Sequence, residues 1–111
     1  MVYGNKIVKK VAVEDFLEIM KEYSKDQIVC TNHTFIRLSE KQKKEFTCEL
    51  LQEYLFHEIP IQVGIQDNNN YAVYYKYKDT FIRLILDIVV ARKINIVTLY
   101  LPEGELPRIW K

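Results

Sequence analysis

From Glu14 to Tyr23 the apolar residues Phe16, Leu17, Ile19, Met20 and Tyr23 recur every three or four positions, with Glu14, Asp15, Glu18 and Glu22 between them. That period predicts an amphipathic helix over Glu14–Ser24, and its early acids suit the positive end of a helix dipole. A second helical stretch opens at Thr31 or Asn32, either of which can cap it, and carries His33, Phe35, Ile36 and Arg37. Ser39 with Gln42 three residues later is a capping box, which allows the helix to break and restart there. Thr47 then caps a third helix, Cys48–His57, with Leu50, Leu51, Tyr54 and Leu55 as its apolar stripe. Pro60 ends the helical pattern.

Beyond Pro60 the period falls to two. Ile61–Gln66, Tyr71–Tyr77, Thr80–Val90 and Lys93–Leu101 are rich in Ile, Val, Tyr and Phe and are separated by turn-forming residues at Asp67–Asn70, Lys78-Asp79 and Ala91-Arg92. Short connections imply antiparallel neighbours. The expected fold is therefore α+β: two to three N-terminal helices packed on one face of a four-stranded antiparallel meander. It forms a single domain over 1–111, with a helical part at 13–58, a sheet at 61–101 and an irregular tail at 102–111. A short leading strand around Lys6–Val11 is a further candidate.

Register follows from alternation. Ile82, Leu84, Leu86 and Ile88 are all large and aliphatic, so their face must be covered. Two-residue turns at Lys78-Asp79 and Ala91-Arg92 set Leu84 against Val73 and Leu99, and Arg83 against Tyr74 and Tyr100. The opposite, open face then presents Tyr74, Lys76, Arg83, Asp87, Thr98 and Tyr100. Tyr71, Tyr75 and Tyr77 fall on the covered side.

Composition narrows the function classes. The chain has 111 residues, 49% apolar and 28% charged, which is the mix of a folded globular domain. No stretch reaches the roughly 20 apolar residues of a membrane span, and Met1–Lys10 lacks a signal peptide's apolar core, so a cytoplasmic protein is expected. Sixteen Lys and Arg against fifteen Asp and Glu give no bulk argument for a polyanion partner. The balance is uneven, however: residues 71–100 carry five Lys and Arg against two Asp, whereas 11–30 carry two against five acids. An anion belongs with the C-terminal half.

Cys30 and Cys48 form no Cys-x-x-Cys pair and read as small buried hydrophobes rather than a metal or redox motif. Gly-rich phosphate loops, His-Glu-x-x-His and Gly-x-Ser-x-Gly are lacking, so no cofactor or metal is expected. His33 and Arg37, four apart, suit proton transfer beside phosphate binding; a cap-proximal histidine and a surface arginine explain the same pattern. The Lys41, Lys43, Lys44 cluster reads as a solvated helix face, and His57 suits a helix C-terminus.

The run from Thr31 to Tyr100 resembles the RelE/ParE-like toxin superfamily. The resemblance rests on His33-x-x-x-Arg37 opening a helix, a second helix after Thr47, and the strands Tyr71–Tyr77, Phe81–Asp87 and Ile94–Tyr100. It implies metal-independent RNA cleavage within a toxin–antitoxin pair, with RNA as substrate and an antitoxin protein as partner. A side chain would activate the ribose 2′-hydroxyl, basic groups would hold the phosphate, and an acid would protonate the leaving oxygen. On that reading His33, Arg37, Arg83 and Tyr100 are catalytic, and Tyr74, Lys76 and Thr98 bind RNA. The alternative is a non-catalytic module on the same fold that binds protein or RNA.

Overall fold

The computed structural model describes residues 6–31, 33–36, 38–89 and 92–101. Arg37 and the tail at 102–111 lie outside the described residues, as does the expected turn residue Ala91.

The helices follow the apolar spacing. α1 (Val13–Met20) buries Phe16 and Met20 and is shorter than expected. After Met20 the hydrogen bonds shift to three-residue turns (Glu22 N–H to the Ile19 carbonyl, Tyr23 N–H to that of Met20), and Ser24 caps a 3₁₀ turn at Lys25–Gln27. Residues 33–36 form turns rather than the first part of a helix. Helix begins only at α2 (Glu40–Glu45), where Ser39 Oγ accepts from the Gln42 N–H at 3.1 Å. α3 (Cys48–His57) starts where Thr47 Oγ1 accepts the Leu50 N–H at 3.2 Å, and it buries Leu51 and Leu55.

The sheet corrects the four-stranded meander. Its strands are β1 (Ile7–Val11), β2 (Ile28–Cys30), β3 (Gln62–Gln66), β4 (Tyr71–Tyr77), β5 (Thr80–Val89) and β6 (Lys93–Tyr100). They form one six-stranded mixed sheet in the order β1-β3-β4-β5-β6-β2. β2 runs parallel to β6, and every other pair is antiparallel. The meander is therefore only the middle of the sheet. Both added edges are weakly signalled: Lys9-Lys10 breaks the alternation of β1, and β2 is three residues long.

In the middle, Val73 pairs with Leu84, Leu84 with Leu99, and Arg83 with both Tyr74 and Tyr100. The register then slips. Leu86 faces Ile96 rather than Val97, and Val89 faces Lys93, so the β5–β6 connection is longer than two residues. An unbroken register would turn Asn95 toward the helices; the bulge sets Asn95 opposite Asp87 and leaves Ile94 and Ile96 fully buried. Leu84, Leu86 and Leu99 join Phe16, Leu51, Leu55 and Ile28 in the main core, between sheet and helices.

Cys30 and Cys48 are not the small buried hydrophobes expected: both are half-buried and form a disulfide that joins β2 to the helical layer, their Cα atoms 6.0 Å apart. Parallel pairing along β6 puts Cys30 at the end of β2, and the Thr47 cap puts Cys48 at the start of α3. Among the described residues, no helix is long and apolar enough to cross a membrane.

Candidate functional site

Arg83 occupies the middle of β5, on the face turned away from the helices. Its Cα partners are Tyr74 of β4 and Tyr100 of β6, so three adjacent strands contribute to one spot. The guanidinium carbon lies 4.2 Å from the Tyr100 ring centroid and 6.0 Å from that of Tyr74. Arg83 Nη1 donates to Tyr74 Oη at 3.4 Å, a long bond. Arg83 Nε is buried and has no hydrogen-bond partner. The cation is thus held over the Tyr100 ring, with its buried Nε–H unpaired.

This face is less open than alternation implies. Ala72, Tyr74, Phe81 and Ile85 form a second apolar cluster, against which Ile7, Val97 and Tyr100 pack. Tyr74 is only 1% exposed, whereas Arg83 and Tyr100 are half-buried. The reason is compositional: Phe81, Ile85 and the bulged Val97 add apolar area around Tyr74 that the polar positions do not offset. Lys76 is exposed opposite Phe81, and Thr98 is half-buried opposite Ile85, so both flank the arginine along its neighbouring strands.

His33 belongs to a different element. It is exposed in the turn after β2, where its N–H donates to Thr31 Oγ1 at 3.2 Å. That turn is fastened to the outer edge of β6. Thr31 N–H donates to the Ile96 carbonyl, Thr31 Oγ1 to that of Val97, and Leu99 N–H to that of Thr34. His33 therefore borders the strand that carries Thr98 and Tyr100, but no hydrogen bond joins it to Arg83. The structure brings Tyr74, Arg83 and Tyr100 together, with Lys76 and Thr98 at their margin; His33 stands at the sheet edge.

A second polar group lies on the helical side. Glu53 pairs with Lys25 through one carboxylate oxygen and with His57 Nε2 through the other, at 3.3 Å. The Lys25 hydrogen bond holds the Glu53 carboxyl below its ordinary pKa. Glu53 and His57 line a recess of about 280 Å³ with Leu50, Tyr54 and Glu58. His57 at the end of α3 also meets the negative end of the helix dipole, so a structural role accounts for it. Among the described residues, no three His, Cys, Asp or Glu are grouped to hold a metal ion.

Comparisons of the chain with protein-family models, with curated proteins and with solved structures each find no match. Function must therefore be argued from the residues themselves.

Proposed function

We propose that the chain is a metal-independent endoribonuclease of the toxin–antitoxin type, acting on single-stranded RNA at the face built by Tyr74, Arg83 and Tyr100. The single observation that carries this reading is a half-buried guanidinium flanked by two phenols on adjacent strands. The positive surplus of residues 71–100 supports it as well.

In the proposed reaction the ribose 2′-oxygen forms a bond to the adjacent phosphorus while the bond from phosphorus to the 5′-oxygen breaks. The 2′-hydroxyl proton passes to a base, with His33 from the neighbouring turn as the candidate. Tyr100 supplies the proton taken up by the 5′-oxygen, and Arg83 neutralises charge on the phosphorane. Tyr74 fixes the guanidinium, Lys76 and Thr98 contact the flanking backbone, and Arg37 is kept as a second phosphate ligand from the resemblance. A partner antitoxin would silence the activity.

The burial of Tyr74 favours a second reading, a non-catalytic module that binds RNA or protein through Arg83 and Tyr100. One experiment separates the two. Purified protein is incubated in EDTA with a single-stranded oligoribonucleotide and with its all-deoxy counterpart. Cleavage of the RNA alone supports the ribonuclease; binding without cleavage supports an RNA-binding module; neither binding nor cleavage refutes both RNA readings and leaves protein as the module's partner.

A further inference from the structure

We propose that Cys30 and Cys48 are a reversible thiol–disulfide site, opened and closed by exchange with a low-molecular-weight thiol such as glutathione. Its state would set how firmly the segment between them is held, at Thr31 and Thr34 against the outer edge of β6 and at Phe46 against Tyr77 of β4. The effect on RNA rests on the ribonuclease reading above; the redox chemistry does not.

The disulfide ties the end of a three-residue edge strand to the first residue of α3 and closes a loop of sequence separation 18. Among the described residues of that loop, Phe35 packs against the main core and Glu45 pairs with Lys78 at 3.2 Å. Thr31 and Thr34 bond to β6, Leu38 and Phe46 reach the core, and the Phe46 ring lies 4.8 Å from that of Tyr77. The remaining core comprises Phe16, Leu51, Leu55, Val73, Leu84 and their neighbours, and it lies outside the loop. A domain of this size does not need one covalent staple to stay folded. Opening the bond therefore loosens a segment rather than the fold.

Both cysteines are half-buried, Cys30 against the main core, and the chain holds no other cysteine to compete for them. Closure forms one S–S bond and removes two electrons and two protons from the thiol pair. A thiolate attacks oxidised glutathione, and one reduced glutathione leaves as a mixed disulfide forms. The second cysteine then displaces the other glutathione. Reduction runs the same steps in reverse. What the bond controls is functional surface: the loop carries His33 beside the strand of Thr98 and Tyr100, together with exposed Lys41, Lys43 and Lys44.

By loop-closure entropy, a cross-link over this span disfavours local opening by a factor on the order of 100. The test equilibrates the full chain in oxidised or reduced glutathione, counts free thiols by alkylation and mass, and follows tryptic cleavage after Lys41, Lys43 and Lys44. The expected result is a thiol count that switches between zero and two, and cleavage at those lysines at least about tenfold faster when reduced, with the melting transition intact. The double variant Cys30→Ser/Cys48→Ser should match the reduced protein and ignore glutathione. A pair that stays reduced in oxidised glutathione, equal cleavage in both states, or loss of the whole fold on reduction would each overturn the proposal. RNA affinity measured on the same samples should fall on reduction. If RNA binds in neither state while cleavage still switches, the ribonuclease reading fails and the redox site stands.

Discussion

Replacing Tyr75 with phenylalanine should make the protein more stable. Tyr75 is 1% exposed in β4, its ring edge-on to Tyr54 at 5.4 Å, and its hydroxyl has no hydrogen-bond partner. Burial, with a smaller contribution from Glu58, pushes the phenol's pKa far above its ordinary value, so the group is neutral at every working pH. Tyr75→Phe keeps the ring and its packing and removes only the unpaired hydroxyl. An unsatisfied buried hydroxyl costs about 1–3 kcal/mol, so a gain of about 1–2 kcal/mol is expected. For a domain of this size, that corresponds to a rise of roughly 4–8 °C in Tm per kcal/mol. Urea unfolding followed by circular dichroism is the assay, with an unchanged m-value as the sign that only stability has moved. The reasoning is refuted if Tyr75→Phe loses about 0.5 kcal/mol or more, because the hydroxyl would then be satisfied. Tyr75 points to the helix side while neighbouring Tyr74 points to the arginine, so the candidate site should be unaffected.

Three further outcomes follow from the same packing. Leu84, fully buried and opposed by Val73 and Leu99, should cost about 2–5 kcal/mol as Leu84→Ala in the same unfolding assay, and a cost below roughly 1 kcal/mol would contradict the core assignment. Ser39→Ala removes the cap of α2 and should cost about 0.5–2 kcal/mol, seen as faster amide exchange over Glu40–Glu45. Glu53 has a folded-state pKa held down by Lys25, so the pair's contribution is present above the unfolded carboxylate range and is lost as pH falls through the lowered folded value. A carboxyl NMR titration should find Glu53 below the ordinary glutamate range, and Lys25→Met should restore it.

Sequence periodicity carried the elements with strong local signals. The Thr47 cap and its apolar stripe define α3 as found, and the alternation of β5 gives the pairings of Leu84 and Arg83. Features set by distant partners were out of reach. Ile28-Val29-Cys30, with two β-branched residues, is too short to stand out, and it becomes a strand only because β6 offers a free edge beside it. The bulge at Val97 answers a need to bury Ile94 and Ile96 that a turn-based register does not contain. The expected helix from Thr31 gives way to turns because Thr31 and Thr34 spend their hydrogen bonds on β6. The disulfide follows from that same parallel edge, so without β2 nothing placed Cys30 beside Cys48. At the candidate site, the neighbours of Arg83 were readable from register, while the burial of Tyr74 depended on how much apolar area its whole face gathers.

The central claim is that Arg83 acts on RNA rather than merely bracing the sheet. Stacking on Tyr100 alone is worth about 0.5–2 kcal/mol, whereas a lost oxyanion donor costs about 10²–10³ in rate. The direct measurement is the cleavage rate of a single-stranded oligoribonucleotide in EDTA by the parent protein and by Arg83→Ala, with Tm recorded for both. The rate should fall at least about 100-fold in Arg83→Ala with the fold retained. A variant that melts lower yet cleaves at the parent rate would assign Arg83 to stability and not to RNA cleavage.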